Sequence, residues 1–241
     1  MCNIEAYIFD LDGVVVDTAK YHYLAWKRLA AEFEYHFTQE DNEQFKGVSR
    51  MDCLNILSKM IGRSFEEREK IQLADRKNDW YIEYIKNMGK DEVLPGFVEF
   101  ITEIRRTGGK TALASASKNA ALVLERLELG RYFHAVVDGN AVNKSKPDPQ
   151  VFLLAADRLG VAKEKCLVFE DAQAGIDAAK HARMYTVGIG RQENPLRGAD
   201  IMKPGFEGLS PEQLLGELDF LIRQRYVTSK STHLPAVKFH A

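Results

Sequence analysis

Cysteine is scarce in this sequence of 241 residues. Its three cysteines, Cys2, Cys53 and Cys166, are odd in number, far apart and without the spacing of a metal site. They indicate neither a disulfide framework nor a zinc site. The pattern favours a reducing compartment, and we expect a cytoplasmic protein.

The sequence also lacks an excess of one charge and lacks long apolar runs. The formal net charge is −2, with 28% charged and 45% hydrophobic residues, so the chain as a whole is not attracted to nucleic acid or to a membrane surface. No stretch approaches the roughly 18 apolar residues of a membrane span, and the first residues do not resemble a signal peptide. We expect no nucleic-acid or membrane partner, and any phosphate site must be local.

Strand-like and helical patterns alternate along most of the chain. Strands are predicted at residues 5–9, 110–114, 135–137, 166–169 and 185–189, and helices at residues 97–106, 119–127, 150–159, 172–182 and about 211–225. This alternation predicts an α/β fold, with a mainly parallel, Rossmann-like sheet covered by helices on both faces.

The long segment after the first strand shows helical patterns alone. They begin near Thr18, where Asp17 or Thr18 can cap a helix, and continue at about 51–60 and 66–88. We predict a core of residues 1–16 and 93–227, a helical insertion of residues 17–92, and a flexible tail of residues 228–241. Two connections, near 14–18 and 92–96, would act as hinges between core and insertion.

Two carboxylates follow the first predicted strand. Asp10 and Asp12 stand two residues apart beside Gly13, so a turn can direct both toward one cleft. A turn with capping aspartates is the structural alternative. An EF-hand is disfavoured, because its loop needs further oxygen ligands and a glutamate at its twelfth position.

Three more polar segments follow predicted strands. Residues 115–119 offer hydroxyls and a helix start that suit phosphate, although a simple helix cap fits as well. Lys146 lies between a strand and two prolines that can stiffen a turn and direct it inward, although a solvated charge is the alternative. Glu170 and Asp171 suit Mg²⁺, or again a helix cap.

The four segments fit one reaction, because the carboxyl ends of parallel strands meet at one edge of a sheet. An aspartate attacks phosphorus, Mg²⁺ and a lysine neutralise the phosphoryl oxygens, and a hydroxyl fixes their direction. The sequence therefore predicts a magnesium-dependent phosphoryl-transfer enzyme, with Asp10 as nucleophile and Asp12 as general acid and base.

These residues, in this order, resemble the four motifs of the haloacid dehalogenase superfamily, whose small helical cap the insertion also resembles. The motif residues are Asp10, Asp12, Val14, Ser115, Lys146, Glu170 and Asp171. The resemblance implies that Asp10 becomes a phosphoaspartate, and that Asp12 protonates the leaving group and later activates the acceptor. It implies Mg²⁺ held by Asp10, the Asp12 carbonyl and Asp171, with Glu170 close by or bound.

The resemblance further implies that Ser115 and Lys146 hold the transferring phosphate. Several other segments are similar to those of the β-phosphoglucomutases, one family of that superfamily. They are residues 17–22 with Trp26, 45–50, 76–79, 115–119 and 170–176. The similarity implies an enzyme that interconverts β-D-glucose 1-phosphate and D-glucose 6-phosphate through β-glucose 1,6-bisphosphate, which is both intermediate and activator. We expect a monomer.

A bisphosphate needs a second anion pocket away from Asp10, and Arg50 can hold phosphate in a bidentate way. The expected substrate-binding residues are Trp26, Lys46, Gly47, Val48, Ser49, Arg50, Lys77, Ala116, Ser117, Lys118 and Asn119. The resemblance also implies that Thr18, His22, Lys46 and Gly47 link closure of the insertion to the placement of Asp12.

Each of these assignments has a plainer alternative. Lys46 and Arg50 could form an exposed basic turn, His22 could be a surface residue, and Trp26 could serve packing alone. Two other functions share the core motifs. One is a sugar-phosphate phosphatase, in which water attacks the aspartyl phosphate. The other is a non-catalytic sugar-phosphate sensor, against which the complete set of acidic and lysine residues argues.

Overall fold

A six-stranded parallel sheet forms the centre of the computed structural model, which describes residues 3–190 and 195–231. Its strands are β1 (Ala6–Phe9), β2 (Lys110–Ala114), β3 (Ala135–Val137), β4 (Cys166–Glu170), β5 (Tyr185–Ile189) and β6 (Ile201–Lys203). Their order in the sheet is β3-β2-β1-β4-β5-β6. The predicted α/β class is confirmed, while the short edge strand β6 was not predicted.

The strand order reverses at β1. Phe9 of β1 lies opposite Leu113 of β2 on one side and Phe169 of β4 on the other. The chain adds β2 and β3 on one side of β1 and β4 to β6 on the other, which opens a crevice beyond the carboxyl ends of β1 and β4. Ligands of open parallel sheets bind at such a point.

Nine α-helices accompany the strands in the described residues. They are α1 (Ala19–Ala31), α2 (Gln39–Glu43), α3 (Arg50–Met60), α4 (Glu67–Ile85), α5 (Phe97–Arg106), α6 (Ala120–Arg126), α7 (Gln150–Leu159), α8 (Gln173–His181) and α9 (Pro211–Ser231). Three 3-10 turns lie at Lys90–Glu92, Gly130–Tyr132 and Lys163–Lys165. None of these described helices has the length and apolar character needed to cross a bilayer.

Two helical features differ from the sequence predictions. Helix α9 continues to Ser231, so residues 228–231, which were predicted to be tail, are helical. Residues 232–241 lie outside the described part of the chain. Helix α2 was not predicted, because its five residues are too few to show a periodic pattern; a capping box between Thr38 and Asp41 holds its start.

Hydrophobic clusters cover both faces of the sheet, and a third lies within the insertion. On one face Phe9 stacks on Phe169 with ring centroids 4.6 Å apart, and Phe97 meets Phe9 edge-on. Burying each such ring stabilises the fold by about 1.5–3 kcal/mol. Trp26 and Leu54 belong to the cluster of the insertion. The division of the chain into core and insertion stays a prediction.

Candidate functional site

A buried cluster of opposite charges lies at the carboxyl ends of β1 and β4. The backbone N–H of Asp10 donates to the Phe169 carbonyl at 3.0 Å, which fixes the residue at the strand end. Lys146 Nζ lies 2.5 Å from Asp10 Oδ1 and 2.5 Å from Glu170 Oε1, with only 1% of the lysine side chain exposed. Lys146 is therefore not a solvated charge.

The charges of this cluster determine its protonation. Burial alone would lower the pKa of Lys146, but attraction by Asp10 and Glu170 outweighs it and raises the pKa above its ordinary value. Burial raises the pKa of Glu170 to about 7, helped by repulsion from Asp10 and opposed by Lys146. Lys146 therefore remains a cation at neutral pH, between two acceptor groups.

Asp10, Glu170 and Asp171 form a possible metal site, since each offers a carboxylate oxygen and these oxygens all lie within 4.8 Å of one another. Burial and the charges of Glu170 and Asp10 raise the pKa of Asp171 well above its usual range. Three carboxylates face one lysine, so a hard cation would neutralise the excess negative charge.

Gly13 allows this close arrangement. Its φ of +77° is in the left-handed region, and a Cβ at this position would lie 2.2 Å from Asp171 Oδ2. Any side chain here would therefore push the turn after β1 away from Asp171.

Asp12 is held from the side of the insertion. The Thr18 hydroxyl donates a short hydrogen bond to Asp12 Oδ1, and His22 Nε2 lies 4.0 Å from the same oxygen. Thr18 occupies the position before α1, but its side chain does not cap the helix. Burial, and then repulsion by Asp10, raise the pKa of Asp12 to about 6. This carboxyl can therefore gain and lose a proton near neutral pH.

His22 is enclosed by helix α4 and is not a free surface histidine. Lys77 Nζ lies 2.8 Å from His22 Nδ1, and the imidazole stacks on Tyr81 with ring centroids 4.1 Å apart. Burial and the charges of Lys77 and Arg50 hold the pKa of His22 well below its usual range. A lysine that donates to Nδ1 leaves the ring proton on Nε2, where it faces Asp12.

In the segment after β2, backbone N–H groups donate hydrogen bonds to serine hydroxyls of the same segment. Ser115 is fully buried, and its Oγ accepts from the Ser117 N–H at 3.0 Å, while Ser117 Oγ accepts from the Asn119 N–H at 3.2 Å. The Asn119 side chain does not cap α6 but donates to Asn78 of α4 at 2.8 Å. This segment is therefore one point where the insertion contacts the sheet edge.

The loop before α3 is a second point of contact. Lys46 Nζ lies 2.9 Å from Glu43 and 4.0 Å from Asp171 Oδ2. A Cβ on Gly47 would lie 3.1 Å from the Ala172 Cβ, so the loop packs closely on the start of α8. Only 21% of the Arg50 side chain is exposed, which does not fit an exposed basic turn.

A cavity of about 700 Å³ lies between the insertion and the sheet edge. Fifteen of the predicted residues line it: Asp10, Asp12, His22, Trp26, Lys46, Gly47, Val48, Ser49, Arg50, Lys77, Ala116, Ser117, Lys118, Asn119 and Asp171. Thr18, Ser115, Lys146 and Glu170 are buried behind this lining. Trp26 borders the cavity and also packs in the hydrophobic cluster of the insertion, and its substrate-binding role stays a prediction.

Three residues at this site were missed from sequence. Tyr81 stands four residues after Lys77, and this spacing on one helical face could have revealed it. Ser145 donates to Asp52 at 2.7 Å and joins the core to α3 across 93 positions of sequence. No local pattern announces such a distant pair.

Known proteins are similar to this chain in sequence and in fold. The family model of haloacid dehalogenase-like hydrolases matches residues 4–183. A β-phosphoglucomutase from Bacillus subtilis is 41% identical over 201 residues, which cover 83% of this chain and 88% of that protein. A phosphorylated carbohydrates phosphatase from Thermotoga maritima is 32% identical over 220 residues, which cover 89% of this chain and 98% of that protein.

A solved structure extends this likeness to three dimensions. The crystal structure of a β-phosphoglucomutase from Clostridium difficile matches with a TM-score of 0.86 and 38% identity, over 91% of this chain and 99% of that one. The resemblance inferred from the motifs is confirmed. The chain belongs to the haloacid dehalogenase-like hydrolase family.

Proposed function

We propose that the protein is a β-phosphoglucomutase, an isomerase that interconverts β-D-glucose 1-phosphate and D-glucose 6-phosphate through β-glucose 1,6-bisphosphate. The observation that carries this proposal is one cavity that contains two kinds of residues, a pair of acids for the reaction and separate cations for an anion. It contains Asp10 and Asp12 at the sheet edge, and also Arg50 and Lys118, cations outside the Asp10 cluster that can receive a second phosphate. The Bacillus and Clostridium relatives support the same activity.

The chemistry follows from the positions of Asp10 and Asp12. An Asp10 carboxylate oxygen attacks phosphorus of the bisphosphate at C1, the bond from phosphorus to the sugar oxygen breaks, and Asp12 gives that oxygen its proton. The product is glucose 6-phosphate. In the other half-reaction Asp12 takes the proton of the C6 hydroxyl of glucose 1-phosphate, whose oxygen accepts the phosphoryl group from Asp10. The bisphosphate forms again.

Lys146 and Ser115 are assigned to the transferring phosphate. Lys146 remains charged between Asp10 and Glu170 and can neutralise phosphoryl oxygens without moving far. Ser115 lies at the end of β2, beside β1, where its hydroxyl can fix one of those oxygens.

Mg²⁺ is the proposed cofactor, because the donor set of three close carboxylates is one that this hard cation prefers. Asp10, Asp171 and the Asp12 carbonyl would hold it, with Glu170 close by or bound. When bound, it would supply positive charge that stabilises the transferring phosphoryl group.

The second phosphate distinguishes a mutase from a phosphatase. Arg50, Ser117, Lys118 and Asn119 are proposed to bind it, with Lys46 to Ser49 closing over the sugar. Thr18 and His22 approach Asp12 from the insertion, so movement of the insertion over a sugar would determine where the acid and base Asp12 lies.

A sugar-phosphate phosphatase is the second candidate, supported by the Thermotoga relative. The two are separated by supplying the protein with β-glucose 1-phosphate, Mg²⁺ and a trace of β-glucose 1,6-bisphosphate, and measuring glucose 6-phosphate against inorganic phosphate. We expect glucose 6-phosphate to dominate. Inorganic phosphate as the main product would reject the mutase in favour of the phosphatase.

We further propose that residues 17–92 move against the core of residues 1–16 and 93–227, and that the protein acts as a cytoplasmic monomer. Among the described residues, Asp10, Asp12 and the proposed second anion pocket line one cavity within a single chain. Light scattering of the purified protein in solution tests the monomer.

A further inference from the structure

The two connections between core and insertion lie side by side. Val16 forms an isolated β-bridge to Val93, and the Leu94 N–H donates to the Val15 carbonyl at 3.0 Å. Val16 also bridges to Asp12. The backbone around Asp12 is therefore joined to the second connection as well as the first.

Glu92, in the 3-10 turn before Val93, adds a side-chain contact between them. The Tyr21 hydroxyl lies 2.8 Å from each carboxylate oxygen of Glu92, and Lys20 Nζ lies 2.7 Å from Oε2. Only 12% of the Glu92 side chain is exposed. Burial alone would raise the pKa of Glu92, but its bonds to Lys20 and Tyr21 lower it, so the carboxylate stays ionised.

The residues bound by Glu92 belong to the same helical turn as two residues that contact Asp12. The N–H groups of Tyr21 and His22 both donate to the Thr18 carbonyl, at 3.0 and 3.1 Å. Thr18 and His22 reach Asp12 with their side chains. A shift of this turn therefore moves the groups that hold Asp12.

We propose that Glu92 is a positioning residue for the acid and base Asp12, acting through Tyr21 and the first turn of α1. This inference rests on the proposed function and deepens it. Tyr21 is taken as the main partner, since its hydroxyl lies 2.8 Å from both oxygens of the carboxylate, whereas Lys20 reaches one of them. Lys20, whose side chain is 51% exposed, contributes less because water screens its charge.

Four variants test the order of these contributions. Glu92→Ala and Tyr21→Phe should each lower the kcat of sugar-phosphate turnover about tenfold, because small displacements of catalytic groups are costly. Their KM should change less than about twofold, since neither residue lines the cavity. Glu92→Gln, which keeps an acceptor for Tyr21, should fall between them and the wild type. Lys20→Gln should retain nearly full activity.

Two measurements distinguish a positioning role of Glu92 from a general loss of structure. Phosphorylation of Asp10 by acetyl phosphate should keep its rate in all four variants, because acetate leaves without a proton from Asp12. Thermal unfolding should confirm that each variant is folded. Glu103→Gln is the matched control, since Glu103 of α5 is a carboxylate paired with Arg106 at 2.7 Å and does not line the cavity, and it should behave as wild type.

The proposal is overturned if Glu92→Ala and Tyr21→Phe leave kcat unchanged, or if they lower sugar turnover and acetyl phosphate reactivity equally. If the wild type releases inorganic phosphate rather than glucose 6-phosphate, the mutase assignment fails. The Glu92 test still stands in that case, because Asp12 must protonate the departing sugar in either reaction.

Discussion

Two buried lysines, Lys77 in the lining of the cavity and Lys146 behind it, have opposite electrostatic surroundings. Lys146, at the sheet edge, has 1% of its side chain exposed and lies between the carboxylates of Asp10 and Glu170, which raise its pKa. Lys77, in the insertion, is also 2% exposed, but burial and the nearby charge of Arg50 lower its pKa to about 7. The partner of Lys77 Nζ is Nδ1 of the His22 imidazole, at 2.8 Å, and not a carboxylate.

The two clusters differ in how closely their cations are paired. In the core cluster Lys146 lies 2.5 Å from two carboxylates, so these charged groups are ordered before any substrate arrives. In the insertion cluster of Lys77, Arg50 and His22 the pairing is looser, since Arg50 lies 4.0 Å from Asp75 and His22 lies 4.0 Å from Asp12. An arriving phosphate would add negative charge beside these cations. We therefore expect the sheet edge to perform the reaction and the insertion to recognise an anion.

The largest expected effect is the loss of activity in Asp10→Asn, because the amide cannot act as the nucleophile. Turnover of β-glucose 1-phosphate should fall by about 10⁴-fold or more, and acetyl phosphate should leave no phosphoryl group on the protein. Mass spectrometry detects that group directly. Retained turnover would show that the covalent mechanism is wrong.

Lys146→Met tests how much the buried lysine stabilises the core cluster. It leaves Asp10 and Glu170 buried without their shared cation, and removing one partner of a buried ion pair costs about 3–5 kcal/mol of unfolding free energy. Urea unfolding at neutral pH measures the change. Lys165→Met is the control, since Lys165 pairs with Glu5 on the surface, and its unfolding free energy should be nearly unchanged. A similar loss of unfolding free energy in Lys146→Met and Lys165→Met would contradict the close pairing assigned to Lys146.

Arg50→Ala tests the insertion as an anion site. Affinity for β-glucose 1,6-bisphosphate should fall about 10- to 100-fold, because the proposed charge-assisted contact of Arg50 with the second phosphate would be lost. Phosphorylation of Asp10 by acetyl phosphate should be spared. Arg63→Ala is the control, since Arg63 pairs with Glu69 in the insertion but does not line the cavity. Equal loss of both reactions would remove Arg50 from the second pocket.

The sequence was sufficient for the parts of the site that stand at strand ends. Asp10, Ser115 and Glu170 each follow a run of buried residues whose pattern predicts a strand, and parallel pairing then brings the strand ends together. The helices at 97–106 and 150–159 have the predicted bounds, because their apolar periodicity is strong and turns border them.

The rest depends on contacts between distant segments. The pair of Ser145 and Asp52, and the bond from Tyr21 to Glu92, join residues 93 and 71 positions apart by side chains alone. Neither has a periodic pattern. Strand β6 was missed because its three residues lie at the sheet edge, where pairing with β5 rather than local preference determines the structure.

The smallest expected effect is a pH dependence of stability between about pH 7 and 9.5, a range in which Lys77 titrates and Lys146, whose pKa is raised, does not. Lys77 has a folded pKa of about 7 and an ordinary value of 10.5, so between these pH values the unfolded chain binds more protons than the folded protein. The stability contribution of Lys77 therefore rises with pH across this window and is least favourable below pH 7. Lys77→Met removes the cost of burying the charge.

The advantage of the Lys77→Met variant over wild type in unfolding free energy should therefore be greater at pH 7 than at pH 9.5, by about 1–3 kcal/mol, since each unit of pKa shift corresponds to about 1.4 kcal/mol. Urea unfolding at the two pH values measures it. Lys86→Met, at an exposed position just after α4, should show the same difference from wild type at both. A constant difference for Lys77→Met would mean that an anionic group already compensates Lys77, and the contrast with Lys146 would disappear.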